Sequence, residues 1–142
     1  MRYMELGSSG IQVSKMGLGT WAIGGGPAWS GGPSEQNAID TIIEAAHQGI
    51  NMVDTAPGYT RASEEIVGKA LKQLDREKVV LVTKCGVVWN RKGSVWNKVG
   101  DRQLYKLLTP ESVKLEVEES LQRLGTDYID LYMTHWPLFH HL

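Results

Sequence analysis

Apolar runs alternate with amphipathic stretches along the chain, and this pattern predicts strands and helices in turn. Four short runs have the apolar character of buried strands: 16–19, 50–53, 79–84 and 127–133. Three stretches between them repeat apolar residues at helical spacing: 36–48, 63–74 and 110–124. The predicted order is therefore strand, helix, strand, helix, strand, helix, strand.

Capping signals support these helices. Ser34 and Thr109 stand where N-cap residues are expected, and Pro110 occupies a first helical position. Gly49 and Gly125 follow two of the helices, where glycine commonly ends a helix.

Three segments fall outside the alternation. Arg2–Leu6 and Ile11–Lys15 flank a Gly-Ser-Ser-Gly turn and predict an N-terminal β-hairpin. The glycine-rich segment 24–33 and the segment 85–108, which carries two tryptophans, are expected to be long loops. The acidic cluster at 116–119 is expected to be a solvated helix face.

Apolar strands that alternate with amphipathic helices predict a parallel sheet with right-handed crossovers. Two architectures fit this order: an open doubly wound sheet, or part of a (β/α)8 barrel. A complete barrel typically needs about 250 residues. The 142 residues here are too few for eight units.

Composition is typical of a globular chain, with 42% apolar and 22% charged residues. We therefore expect residues 1–142 to form a single partial domain rather than a disordered segment. A net charge of −1 argues against nucleic-acid binding. We also expect no membrane partner, because no apolar run approaches the roughly 18–20 residues of a membrane span.

Cysteine content and the first residues bear on the cellular compartment. The single Cys85 excludes an intramolecular disulfide and a cysteine-based zinc site, and it is expected to be a core residue. The segment Met1–Glu5 lacks the apolar core of a signal peptide. These features predict a cytoplasmic protein with no metal site.

Polar and aromatic side chains follow the predicted strands at their carboxyl ends. They are Thr20 and Trp21, Asp54 and Tyr59, Lys84, and His135. Ligand sites of parallel sheets and barrels lie at that edge. We therefore expect these side chains to converge on one site.

This set suits the protonation of a carbonyl oxygen. An ordinary phenol, with a pKa of about 10, is a poor acid at neutral pH, but a nearby ammonium favours the phenolate. Lys84 is the candidate ammonium, Asp54 the carboxylate that holds it, and Tyr59 the phenol. His135 is a candidate to orient a carbonyl. Because no side chain donates hydride, a reduction would need a nicotinamide cofactor.

Several segments carry a family resemblance. The segment Asp54–Tyr59 (DTAPGY) resembles the Asp-Thr-Ala-x-x-Tyr segment of the aldo-keto reductases. Met16–Trp21, Thr83-Lys84 and Asp130–His135 are similar to the family's first, third and fourth barrel strands. The resemblance runs in order over residues 2–136 and is closest to bacterial methylglyoxal and aldehyde reductases.

The resemblance implies a role for each matched residue. Tyr59 would be the general acid, Lys84 and Asp54 would support it, and His135 would orient the substrate carbonyl. The residues implied to lie against the nicotinamide of NADPH are Gly19, Thr20, Trp21 and Asp54. The residues implied to contact a small aldehyde or ketone are Trp21, Tyr59, Trp89 and His135.

The resemblance also implies a fold of the (β/α)8 TIM-barrel family, here about four βα units that follow the hairpin. Family members are roughly twice this length, and they hold the adenosine 2′-phosphate with their second half. The tail Pro137–Leu142 does not resemble the family's continuation, which suggests a truncated chain. Because a half-barrel has open sheet edges, the isolated chain is expected either to self-associate or to be unstable. Two alternatives to a reductase remain: a non-catalytic subunit of the potassium-channel auxiliary type, or an inactive fragment.

Overall fold

The computed structural model describes residues 1–24, 33–59, 63–99 and 102–137. Its elements in chain order are β1 (Tyr3–Glu5), β2 (Gln12–Ser14), β3 (Gly17–Gly19), α1 (Glu35–His47), β4 (Met52–Asp54), α2 (Ser63–Leu71), a 3-10 turn (Arg76–Lys78), β5 (Val80–Cys85), β6 (Val87–Val88), β7 (Ser94–Val99), β8 (Arg102–Lys106), α3 (Pro110–Leu124) and β9 (Leu131–Thr134). Most of the loop expected at 24–33 lies outside the described residues.

Four strands form a parallel sheet in the order β3-β4-β5-β9, as the alternation predicts. Apolar residues of its strands pack in one core with residues of all three helices. Representative members of this core are Val53, Leu81, Ile42, Val67 and Leu124. The strand order never reverses, whereas a doubly wound sheet has a switch point. The chain therefore forms a partial (β/α)8 barrel preceded by an N-terminal hairpin.

The N-terminal hairpin is confirmed, with β1 and β2 antiparallel. Asn51, just before β4, fixes its position: the Ser14 N–H donates to Asn51 Oδ1 at 2.7 Å, and Asn51 Nδ2 donates to the Gln12 carbonyl at 2.8 Å. Asn51 stands at the amino end of its strand. The hairpin therefore lies at the amino-terminal end of the parallel strands, whereas the predicted site lies at their carboxyl-terminal end.

The predicted helix caps are confirmed. Ser34 Oγ accepts from the Asn37 N–H, and Thr109 Oγ1 accepts from the Ser112 N–H, both at 3.2 Å. Gly125 ends α3 with a φ of 63°, a conformation that costs glycine little.

The prediction of a loop over 85–108 is wrong. This segment contains a three-stranded antiparallel sheet in the order β6-β8-β7. Gly86, with a φ of 89°, turns the chain out of β5 into β6. A register shift between Val95 and Asn97 places Trp96 in a bulge of β7. The bulge explains why the sequence shows no regular alternation here.

The acidic cluster 116–119 is not a solvated face, because Glu116 is only 3% exposed. Its carboxylate accepts from the Gly86 N–H and from Ser112 Oγ, each at 2.8 Å. Burial raises the pKa of Glu116. Glu119 is also partnered, since Arg91 donates to its two carboxylate oxygens at 2.9 and 3.1 Å. These contacts tie α3 to the turn that begins the antiparallel sheet.

Gly68 lets α2 and α3 approach closely. A Cβ at this position would lie 2.6 Å from the Leu124 carbonyl oxygen and 2.8 Å from the Arg123 carbonyl oxygen. We expect Gly68→Ala to lower the free energy of unfolding by about 1–3 kcal/mol, because the overpacking exceeds the gain of about 1 kcal/mol in helix propensity. Urea denaturation measures the change.

Gly17→Ala is the control for the added methyl group, because its Cβ would meet Met52 at an ordinary 3.6 Å. A Gly68→Ala variant as stable as Gly17→Ala would show that the two helices separate without cost.

Over the described ranges, none of the helices has the length and apolar character needed to cross a membrane.

Candidate active site

The parallel register brings the predicted site residues to one edge of the sheet. Asp54 ends β4, Lys84 lies next to the last residue of β5, and His135 directly follows β9. Tyr59 follows the turn after β4, where its N–H donates to the Ala56 carbonyl at 3.3 Å. The predicted convergence of these four residues is therefore observed.

Lys84 is the centre of the cluster. Its Nζ donates to Asp54 Oδ1 at 2.6 Å, to the Thr55 carbonyl at 2.9 Å and to the Tyr59 hydroxyl at 2.9 Å. The Lys84 side chain is 11% exposed. Three acceptors match the three protons of an ammonium, so the charged form of Lys84 is fully hydrogen-bonded.

The Tyr59 hydroxyl completes a triangle. It accepts from Lys84 and donates to Asp54 Oδ2 at 3.1 Å. Phenol, ammonium and carboxylate are thus each bonded to the other two. The arrangement can stabilise negative charge on the Tyr59 oxygen, because the ammonium already donates to that atom.

His135 packs beside this triangle. Its ring meets the Tyr59 ring edge-on, with centroids 5.5 Å apart, and its backbone N–H donates to the Cys85 carbonyl at 2.9 Å. Burial, with a smaller contribution from the positive charge of Lys84, lowers the pKa of His135 to about 4. The imidazole is therefore neutral at neutral pH. Its buried Nδ1 has no hydrogen-bond partner among the described residues.

Three buried hydroxyl groups support the backbone behind the cluster. Thr20 Oγ1 donates to the Asp54 carbonyl at 3.0 Å and lies 3.0 Å from Ser63 Oγ. Ser63 Oγ is also 3.1 Å from Thr55 Oγ1. Thr20 is fully buried, so its side chain supports Asp54 from behind rather than facing the open edge. Ser63 was missed from the sequence because it resembles an ordinary first residue of a helix.

Trp21 lies beside Tyr59, and Gly19 ends β3 at the same edge of the sheet as Asp54. The Trp21 side chain is 51% exposed, and its ring centroid lies 6.2 Å from that of Tyr59. At Gly19, a Cβ would meet no described atom within 4 Å. A nicotinamide contact at Gly19 and Trp21 stays a prediction.

Trp89 lies among cations. The Arg102 and Arg123 guanidinium carbons are 4.9 and 5.8 Å from its ring centroid. Arg123 belongs to α3, so the contact holds the antiparallel sheet to that helix. A role for Trp89 in the substrate pocket stays a prediction.

Trp96 and Trp136 continue the row of ring contacts that begins at His135. Neither tryptophan was predicted from the sequence to be part of the site. The Trp136 ring is nearly parallel to that of His135, with centroids 6.3 Å apart and planes at 13°. Trp96 lies 5.7 Å from Trp136, and Lys106 Nζ faces both rings. Because Trp136 directly follows His135 in the sequence, it could have been predicted to lie near the site. Trp96 on β7 and Lys106 on β8 could not be placed there from the sequence, because the antiparallel sheet itself was not predicted.

Across the described parts of the chain, no group of three or more His, Cys, Asp and Glu side chains could hold a metal ion.

Comparisons with known proteins place this geometry in a family. Residues 15–141 match the model of the aldo/keto reductase family. The chain is 66% identical over 137 residues to an NADH-specific methylglyoxal reductase of Escherichia coli, a match that covers 96% of this chain and 42% of that protein.

Solved structures agree with the sequence match. A glycerol dehydrogenase of Gluconobacter oxydans superimposes with a TM-score of 0.77 and 39% identity, over 95% of this chain and 39% of that one. An aldo/keto reductase of Klebsiella pneumoniae in complex with NADP and acetate superimposes with a TM-score of 0.63 and 31% identity, over 88% of this chain and 36% of that one. The chain spans less than half the length of the curated relatives it matches. By sequence and by structure, the chain belongs to the aldo/keto reductase family.

Proposed function

We propose that this chain provides the proton-donating site of a reductase that converts aldehydes and ketones to alcohols with a reduced nicotinamide. The hydrogen-bonded triangle of Tyr59, Lys84 and Asp54 carries the proposal. The triangle lies beside the imidazole of His135 and the exposed indole of Trp21. The names of relatives as reductases support the same chemistry.

In the proposed reaction, Tyr59 gives its hydroxyl proton to the carbonyl oxygen. Lys84 then stabilises the phenolate through the hydrogen bond it already makes, and Asp54 holds Lys84 in place. His135, being neutral, orients the carbonyl by hydrogen bonding. When bound, a reduced nicotinamide would supply the hydride for the carbonyl carbon, which would leave an alcohol and the oxidised cofactor as products.

Gly19, Trp21 and Asp54 would hold the nicotinamide ring, with Thr20 behind them. We propose NADPH as the cofactor, since Klebsiella pneumoniae structures contain NADP or NADPH. The name of the E. coli relative makes NADH the alternative. The ratio of kcat/KM for the two cofactors decides between them.

The proposed substrate is a small aldehyde or ketone. The rings of Trp21 and His135 flank Tyr59, and aromatic side chains commonly line sites for small organic compounds. Methylglyoxal is the first compound to test, because the 66% identical relative is named for it.

The test is carbonyl-dependent oxidation of NADPH or NADH by the natural polypeptide that carries residues 1–142. We expect oxidation only when methylglyoxal is present, with an alcohol product identified by NMR. Cofactor binding without any turnover would overturn the proposal and favour a non-catalytic subunit. Absence of both would favour an inactive fragment.

The low pKa of His135 predicts how stability depends on pH. Unfolded His135 titrates near its ordinary value of 6.5, whereas the folded residue titrates at about 4. Between these values the unfolded state binds more protons, so the free energy of unfolding falls as the pH decreases from about 6.5 towards 4. Urea denaturation of the natural polypeptide at several pH values measures this slope.

His135→Gln removes the titrating group, and its stability should fall less over that pH range. The two neighbouring charges, Lys84 and Asp54, remain in the variant, so the comparison isolates the titration of the buried imidazole. Identical slopes in the two proteins would show that His135 is not held neutral by burial.

We also propose that residues 1–142 form one partial domain that self-associates when expressed alone. Within the described residues, β3 pairs only with β4, and β9 pairs only with β5. Each therefore leaves an edge of unpaired backbone groups. Sedimentation showing a compact, cooperatively folding monomer would contradict this proposal.

We propose a cytoplasmic location. Cys85 is a free, buried thiol, and burial raises its pKa. Such a residue is compatible with a reducing compartment.

A further inference from the structure

Lys106 presents an ammonium group to the aromatic wall of the site. It ends β8, the central strand of the antiparallel sheet, where it is paired with Val87 on one side and Ser94 on the other. Its Nζ lies 5.5 Å from the Trp136 ring centroid and 5.8 Å from that of Trp96. Backbone pairing on both sides fixes the base of this side chain.

The charge of Lys106 has no carboxylate partner among the described residues. Lys69, Lys78 and Lys84 each have a carboxylate oxygen within 3.0 Å of Nζ. Lys106 instead faces two indole rings, contacts that contribute roughly 0.5–1 kcal/mol at exposed sites. Ring contacts leave the ammonium free to donate hydrogen bonds to an anion.

A continuous series of ring contacts joins Lys106 to the triangle. The Trp136 ring stacks against His135 at 6.3 Å, and the His135 ring meets Tyr59 at 5.5 Å. A carbonyl substrate that lies along these rings would have its carbonyl at Tyr59 and its far end towards Lys106.

We propose that Lys106 selects carbonyl substrates that carry a carboxylate away from the reacting carbonyl. Trp96 and Trp136 form the apolar walls along which the substrate lies, and the Lys106 ammonium donates to the carboxylate. One cation flanked by apolar rings matches a monoanion, because a dianion would retain an uncompensated charge. The inference rests on the proposed reductase function.

The test compares two substrates of equal size in the natural polypeptide: para-carboxybenzaldehyde and para-carbamoylbenzaldehyde. We expect the wild type to prefer the carboxylate. Lys106→Gln should lower the ratio of kcat/KM for acid over amide by about 10-fold to 100-fold, mainly through KM for the acid. Lys106→Arg, which keeps the charge, should retain most of the preference.

Lys98→Gln is the matched control, because Lys98 is an exposed lysine on β7 of the same sheet. It should leave the ratio unchanged. An equal loss for both substrates in Lys106→Gln would show a purely structural role and overturn the inference. If Lys106→Gln fails to fold, added salt should lower the acid preference of the wild type, and a preference insensitive to salt would overturn the inference.

A binding measurement separates this inference from the proposed function. Benzoate and benzamide are titrated against the polypeptide and followed by tryptophan emission, which needs no turnover. If neither aldehyde is reduced but benzoate binding depends on Lys106, the reductase proposal fails and the anion site stands. If benzoate and benzamide bind alike in the wild type and in Lys106→Gln, the anion site is refuted.

Discussion

Tyr59→Phe is expected to lower kcat/KM for methylglyoxal reduction by about a hundredfold to ten-thousandfold, the usual contribution of a general acid. The change removes only the hydroxyl that accepts from Lys84 at 2.9 Å and donates to Asp54 at 3.1 Å. The ring that contacts Trp21 and His135 remains. Cofactor binding should therefore change little, and the loss should appear mainly in kcat.

The matched control is Tyr128→Phe, which removes a hydroxyl from a tyrosine that is 38% exposed and lies under the Arg76 guanidinium. This variant should keep the wild-type rate. Full activity of Tyr59→Phe would exclude the phenol as the proton donor. The neutral His135 is a poor replacement, because its pKa of about 4 leaves almost no imidazolium at neutral pH.

Glu64→Ala is expected to lower the free energy of unfolding by about 3–5 kcal/mol, the cost of removing one partner of a buried ion pair. Glu64 is 1% exposed and accepts from Arg123 Nε at 2.6 Å and from Thr83 Oγ1 at 2.7 Å. These bonds join α2, α3 and β5 at one point. Without the carboxylate, the partly exposed Arg123 guanidinium loses its ion-pair partner and the buried Thr83 hydroxyl loses its acceptor.

Glu35→Ala provides the comparison. Its ion pair with Lys69 has the same 2.6 Å distance, but the two side chains are 55% and 49% exposed. An exposed pair contributes about 0–1 kcal/mol. Urea denaturation of both variants measures the difference, and equal destabilisation would show that the burial of Glu64 does not matter.

The main sheet and its helices could be predicted because local signals agreed with the fold. β5 is buried along its whole length and begins with an apolar run, and the caps at Ser34 and Thr109 mark where helices begin. The convergence of Asp54 and Lys84 followed from parallel topology, since strands in register must end at the same edge. The hydrogen bond between Asp54 and Lys84 could not be predicted from topology and became evident only in the structure.

The features that were not predicted depend on contacts between residues that are far apart in the chain. The bulge at Trp96 interrupts the period of two that would have marked β7 as a strand. Glu116 stands within an acidic stretch, and its acceptor role depends on an N–H donor at Gly86, 30 residues earlier in the chain. Lys106 and Trp136 meet only because the antiparallel sheet lies beside the end of β9. None of these pairings leaves a periodic signal.

The turn at Gly86 separates the proposed reacting groups from the antiparallel sheet, which under the proposed function would set substrate preference. Lys84 lies on one side of this turn, and the antiparallel sheet begins on the other. Glu116 of α3 holds the turn in place by accepting from the Gly86 N–H. Amino-acid changes in β7 and β8 far from this turn therefore need not disturb Lys84. Selection can therefore vary the outer sheet while the reacting groups stay fixed, so specificity and turnover can evolve separately.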